Sequence, residues 1–170
     1  MRLFVAVWPP PDVVEVLSAL AKPALRTVRW TDPARYHVTL RFLGHVDDPE
    51  RAVACMEELD ARAVAAPHAV VGPATQWMAR RQVLCVPVSG LDELAGAVAV
   101  SLDEFGGEDR PFAGHLTLAR TRGNARGPRF LAGTPLSAIW PVGAVTLVSS
   151  ALSESGPRYE VLTQVALSST

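Results

Sequence analysis

Two short stretches pair an imidazole with a hydroxyl at matched spacing: His37-Val38-Thr39-Leu40 and His115-Leu116-Thr117-Leu118. Imidazole has an unperturbed pKa near neutrality, so one His can accept a proton while another donates one. A Thr hydroxyl two residues further on can hydrogen-bond an oxygen on which negative charge builds. Two such pairs facing each other suit in-line displacement at phosphorus. One imidazole activates water, the opposite one protonates the leaving oxygen, and the hydroxyls hold the non-bridging oxygens. That scheme needs no metal and no cofactor. Arg41 and Arg120 are candidate phosphate clamps, because a guanidinium fork matches phosphate oxygens. A lone His-x-Thr is usually a structural His on a half-buried strand. Its repetition is what points to chemistry.

Strands must carry these groups. Residues 36–43 and 112–119 are apolar and β-favouring, and a strand points successive side chains to opposite faces. His37, Thr39 and Arg41 then share one face, with Val38 and Leu40 on the other. His115 and Thr117 are set the same way against Leu116 and Leu118. Arg120 is out of phase with His115 unless a bulge or the strand end turns it.

The remaining elements follow from periodicity and punctuation. Residues 2–8 read as a buried strand, and Pro9-Pro10-Pro11-Asp12 opens a helix with Val13, Val14, Leu17, Leu20 and Ala21 at helical spacing to about Pro23. Residues 28–30 form a short strand before a Thr31-Asp32-Pro33 turn. Asp48-Pro49-Glu50 starts a second helix, striped by Val53, Met56, Leu59 and Ala63 and ending near Pro67. Strands follow at 68–71 and 82–88, with a third around Gln76-Trp77. A third helix begins at Ser89 or Asp92, runs through Leu94, Val98, Leu102 and Phe105, and ends at Gly106-Gly107. Residues 121–134 read as a loop with a short helical turn around Phe130-Leu131. Strands at 144–151 and 158–167 close the chain, joined by a Glu154-Ser155-Gly156-Pro157 turn. The class is α+β. The order helix, strand, motif strand occurs twice, which suggests two similar lobes within a single domain over 1–170.

With 170 residues, 49% apolar and 19% charged, the chain can build a proper core. Its net charge of −1 gives no overall field for a polyanion, so a nucleic acid would have to be gripped locally. Lys22 is the sole Lys, and the other basic residues are Arg. Cys55 and Cys85 have no ligand spacing and read as buried free thiols. No secretory signal or membrane-length apolar run occurs, so the expected setting is the cytoplasm, as a monomer without membrane contact.

His37-Val38-Thr39-Leu40 with Arg41-Phe42-Leu43-Gly44, and His115-Leu116-Thr117-Leu118-Ala119-Arg120, resemble the two signature motifs of the two-histidine (2H) phosphoesterase superfamily. Within it the chain is most similar to the RNA 2′,3′-cyclic phosphodiesterases, also called 2′-5′ RNA ligase-like proteins. Supporting matches are Arg2-Leu3-Phe4-Val5-Ala6, Val28-Arg29-Trp30 and Ser155-Gly156-Pro157-Arg158-Tyr159, so the resemblance runs over essentially the whole chain. It implies a bilobal, pseudo-twofold α+β fold, with two mainly antiparallel sheets facing across a central cleft and helices outside. It implies metal-independent hydrolysis of an RNA terminal 2′,3′-cyclic phosphate to a 2′-phosphomonoester, and in some members reversible 2′-5′ ligation of tRNA halves. By the family's assignment His37 is the proton donor and His115 the proton acceptor. Thr39, Thr117 and Arg120 carry over as phosphate binders. The implied partner is RNA with a cyclic phosphate end, or a cyclic nucleotide. Two departures stand out: Ala113-Gly114 where an Arg-Pro pair is common, and His45 where an acidic residue is frequent. His45 reads as a surface residue near the cleft rim.

Other readings are a 2H activity on another phosphodiester, such as an oligoadenylate, or a non-catalytic RNA-end-binding module using the same cleft. A metal site on His37 and His115 is the weakest alternative, because no carboxylate or Cys lies at ligand spacing near either motif. Phe4, Trp8, Trp30, Tyr36 and Trp77 could stack on a base, but most read as core.

Overall fold

A computed structural model describes residues 1–61, 65–107 and 110–168. In chain order the elements are β1 (Arg2–Val7), α1 (Pro11–Ser18), β2 (Val28–Trp30), β3 (Val38–His45), α2 (Pro49–Ala61), β4 (His68–Val71), β5 (Gln76–Met78) and β6 (Val83–Ser89). There follow α3 (Asp92–Ser101), β7 (His115–Thr121), β8 (Ala138–Pro141), β9 (Ala144–Ser153) and β10 (Gly156–Ala166). Short 3-10 turns lie at Pro33–Arg35, Ala79–Arg81, Asp103–Phe105 and Arg129–Leu131. The fold is α+β and the sheet is antiparallel throughout, ordered β10-β9-β1-β3-β7-β6-β4-β8, with β2 added to β7 and β5 to β6. The two motif strands, β3 and β7, are neighbours at its middle, joined by the single pair Val38–Leu116. One half of the sheet thus carries the first motif and the other half the second.

Local sequence accounts for most boundaries. Asp48 caps α2 by accepting from the Arg51 backbone N–H at 3.0 Å, with Pro49 in the first helical position. Asp32 does the same for the 3-10 turn before the first motif, accepting from the Ala34 N–H at 2.9 Å. Gly106 stops the third helical segment with φ +66°, a conformation that favours glycine. Helix α1 stops at Ser18, short of Pro23. The chain beyond the helix is held instead by Trp30, whose indole N–H donates to the Pro23 carbonyl at 3.1 Å. The stripe residue Ala63 lies outside the described residues.

Strand β8 has no counterpart in the sequence-based expectation. It is four residues long, ends in Pro141, and pairs only with β4 at the sheet edge. A short proline-bounded edge strand carries almost no periodic signal.

The helices cover one face of the sheet. Val13 and Leu17 of α1, Met56 and Leu59 of α2, and Leu94 and Val98 of α3 are buried with Leu3, Val5, Val38, Leu84, Leu116 and Leu118 in one core. Each such fully buried aliphatic side chain contributes about 1.5–3 kcal/mol. Phe4, Ala6 and Val148 point the other way, into a smaller cluster with Trp8 and Tyr159. The site forms on that second face.

Candidate active site

His37 and His115 are held alike. Nδ1 of His37 lies 2.7 Å from the carbonyl of Arg35, and Nδ1 of His115 lies 2.8 Å from the carbonyl of Ala113. A carbonyl only accepts, so Nδ1 carries the proton in both rings, and Nε2 of the neutral ring is the free lone pair. Each carbonyl belongs to the residue two before its His, so the same backbone contact orients both rings, although a 3-10 turn leads into the first motif and irregular chain into the second. At the second, Gly114 packs so closely on β6 that a Cβ there would run into the Val88 carbonyl, and the Val88 N–H donates to the Gly114 carbonyl at 2.8 Å. The Ala113-Gly114 departure therefore sits in the turn that orients His115.

Both imidazoles and both threonines line one cavity of about 450 Å³. Phe4, Trp30, Phe42, Arg120 and Tyr159 also face it. His37 sits in an aromatic cage, with ring centroids 5.2 Å from Phe4, 5.1 Å from Trp8 and 5.4 Å from Tyr159, the last nearly perpendicular at 86°. Burial in that cage lowers the His37 pKa below the ordinary imidazole value, and the charges of Arg120 and His115 lower it further, against the raising effect of the Arg35 carbonyl. Burial raises the Tyr159 phenol, opposed by Arg120 and Arg35, so it remains an O–H donor in the cleft at neutral pH.

The arginines do not sit as strict alternation predicts. In β3 the pairs Ala6–Thr39 and Val5–Arg41 leave Leu40 as a bulge. Thr39 shares the cleft face with Ala6, while Arg41 shares the opposite face with Val5. The expected cleft-facing Arg41 is thus corrected: its guanidinium reaches away to the Gly106 carbonyl, and Phe42 takes the cleft position. In β7 the pairs Cys85–Thr117 and Leu84–Ala119 leave Leu118 as a bulge in the same way, and this one turns Arg120 into the cleft. Sequence alone left that second outcome open.

Among the sequence-nominated aromatics, Phe4, Trp8 and Trp30 belong to the site, whereas Tyr36 is buried and Trp77 is tied to the Pro128 carbonyl at 2.9 Å. Phe42 and Tyr159 received no role from sequence. Their only signals were membership of the first motif run and of the closing Ser155-to-Tyr159 segment.

A family model described as LigT-like phosphoesterase matches residues 7–76. A curated relative, the RNA 2′,3′-cyclic phosphodiesterase of Thermus thermophilus, is 33% identical over 189 residues, covering 98% of this chain and 90% of the relative. The chain belongs to the LigT-like phosphoesterase family. A solved structure from Thermus thermophilus is 29% identical with a TM-score of 0.83, covering 98% of each chain. Escherichia coli LigT complexed with 3′-AMP is 27% identical with a TM-score of 0.69, covering 98% of this chain and 97% of its own.

Other residues of this LigT-like phosphoesterase lie outside the chemistry. Cys55 and Cys85 are buried free thiols, and burial pushes Cys85 up to about 11. His45 is exposed, with its imidazole between the chain's amino terminus and the Asp47 carboxylate. His68 is exposed at the start of β4. Among the described residues no group of three or more His, Cys, Asp and Glu side chains is arranged to hold a metal ion, and no described helix is long and apolar enough to cross a membrane.

Proposed function

We propose that this enzyme hydrolyses the 2′,3′-cyclic phosphate at an RNA end to a 2′-phosphomonoester, using only side chains. One observation carries the reading: two His-x-Thr strands present imidazoles held alike to one cavity, each with Nδ1–H committed to a backbone carbonyl and Nε2 without a protein partner among the described residues. The name of the Thermus thermophilus relative supports the RNA cyclic phosphate as substrate, and the 3′-AMP complex of Escherichia coli LigT supports a cleft sized for a nucleotide.

His115 Nε2 takes the proton from water as its oxygen attacks phosphorus. The P–O3′ bond breaks opposite, and His37 Nε2–H protonates the departing 3′ oxygen. Thr39 and Thr117 donate to the non-bridging oxygens, and Arg120 neutralises the charge that grows on them. A lowered pKa makes the His37 imidazolium a stronger acid. The anionic phosphodiester offsets Arg120 and favours the protonated ring, so His37 loads its proton as substrate binds. If a 5′-hydroxyl attacks in place of water, the same step gives a 2′-5′ phosphodiester. The reverse reaction follows the same path.

The test is turnover of each nucleoside 2′,3′-cyclic monophosphate, and of an RNA oligomer with a cyclic end, in excess EDTA, with 2′- and 3′-phosphate products separated by chromatography. A 2′-phosphate product is expected. A 3′-phosphate product, or loss of activity on chelation that a divalent metal restores, would overturn the mechanism.

A further inference from the structure

A cyclic phosphodiester carries one negative charge, yet the cleft gathers more cations than Arg120. Arg29 of β2 is the direct cross-strand partner of Arg120 in β7, and both face the same cavity. Side chains so paired have Cβ atoms about 4.5–5.5 Å apart, and like charges there destabilise the sheet. Arg35 joins them. The guanidiniums of Arg29 and Arg35 both donate to the Ser155 carbonyl, at 3.2 and 3.3 Å. Gly156, at φ +110°, makes room for this convergence, since a Cβ there would lie 2.6 Å from Arg35 Nη1. Among the described residues no carboxylate is within salt-bridge distance of Arg29, Arg35 or Arg120, and none lines the cavity they face. One neutral carbonyl thus holds two guanidiniums side by side, beside a third.

From this arrangement we infer that Arg29 and Arg35 form a second phosphate subsite, which takes the phosphate on the 5′ side of the nucleotide whose cyclic end reacts. The inference rests on the cyclic-phosphate reading of the site and refines its substrate: a nucleotide with a 5′-phosphate, not a bare cyclic nucleoside. Bidentate guanidinium–phosphate contacts anchor the ribose at one end while the His and Thr pairs act at the other. The like-charge cost of Arg29 against Arg120 is offset when two phosphates lie between them. The phosphate could be an internucleotide diester of an RNA strand or a terminal monoester, and the same chemistry recognises both.

Four substrates and two variants test this. The relevant quantity is kcat/KM for a nucleoside 2′,3′-cyclic phosphate with a free 5′-hydroxyl, for its 5′-phosphorylated form, for the dinucleotide with the cyclic end, and for that dinucleotide with a neutral methylphosphonate link. A preference on the order of tenfold for the phosphate-bearing forms is expected, falling to within about twofold in Arg29→Gln and partly recovered in Arg29→Lys. Preference for the diester alone, lost with the methylphosphonate, identifies an RNA strand as the source. Preference for the 5′-phosphorylated form alone identifies a terminal phosphate. No preference in the wild type, a preference that persists in Arg29→Gln, or one that the methylphosphonate dinucleotide retains in full, overturns the inference while leaving the reaction intact. Absence of turnover on every substrate overturns the reaction reading instead. The subsite is then read by calorimetry, as tighter binding of a nucleoside 2′,5′-bisphosphate than of the 2′-monophosphate; equal affinities sink it.

Discussion

Phe42 and Arg120 occupy equivalent places in the two halves of the sheet. Each lies three residues after its motif threonine, and each is turned into the cleft by a bulge at the leucine directly following that threonine, Leu40 in β3 and Leu118 in β7. Arg41 and Ala119, two residues after their threonines, are correspondingly equivalent and face away. One extra residue in a strand reverses the face of everything beyond it. The repeated bulge therefore decides which arginine faces the cleft, and the cleft is asymmetric: an aromatic ring on the first side and a cation on the second.

Arg120→Ala is expected to lower kcat/KM by about 10- to 100-fold, the loss of a charge-assisted contact of about 1.5–3 kcal/mol. Arg41→Ala should leave kcat/KM within about threefold of wild type and instead cost on the order of 1 kcal/mol of stability, through its contact with the Gly106 carbonyl. Steady-state kinetics and urea unfolding of the two variants separate these effects. Equal kinetic losses in both would mean that the bulge at Leu40 does not turn Arg41 away in solution.

Removing either imidazole should cost about 10²- to 10⁴-fold in kcat on a cyclic nucleotide, with the fold preserved by circular dichroism. The two variants should differ on a diester whose leaving group departs without a proton, such as a p-nitrophenyl ester. There His37→Ala should retain most of the wild-type rate, because its acid is no longer required, while His115→Ala stays inactive for want of a base. The opposite ranking would exchange the two roles.

The doubled His-x-Thr pattern made the site legible because it is local: four residues on a strand fix which groups share a face. The antiparallel α+β class followed from turn residues and short apolar runs of the same kind. Both arginines were named from the sequence, but which of Arg41 and Arg120 faces the cleft was not legible in alternation, because the bulges at Leu40 and Leu118 arise from pairing with β1 and β6, which no local pattern encodes. Tyr159 was equally hidden. It comes from the last strand, and only its pairing to β9, itself paired to β1, brings its ring to His37. The cation pair on the Ser155 carbonyl joins residues more than 100 positions apart for the same reason.

The pH profile should record the burial of His37. Its protonation is opposed first by burial and then by the charges of Arg120 and His115, so it gains its proton only below the ordinary imidazole range. As the proton donor His37 must hold that proton to act, so the limb of the kcat/KM profile that reports His37 should lie there. In Arg120→Gln one charge opposing protonation is gone and the His37 pKa rises. The limb that reports His37 then moves to higher pH, independently of the fall in rate. NMR titration of the His37 ring in the free enzyme gives the same quantity directly, and a limb that stays fixed in Arg120→Gln would remove Arg120 from the electrostatics of His37.

Gly114→Ala tests whether the backbone turn before His115 is a catalytic support. The added Cβ meets the Val88 carbonyl, so β6 and the turn must separate, at a cost of about 1–3 kcal/mol typical of overpacking a closed site. The same displacement moves the neighbouring Ala113 carbonyl, which alone holds the His115 Nδ1–H among the described residues. The ring then loses its fixed tautomer and aim, and kcat should fall on the order of tenfold with KM little changed, since the proposed phosphate-binding groups Thr39, Thr117 and Arg120 keep their places. Ala113→Ser, which leaves the carbonyl where it is, should keep kcat near wild type. A stability loss in Gly114→Ala with kcat unaltered would show that the carbonyl does not set the orientation of His115.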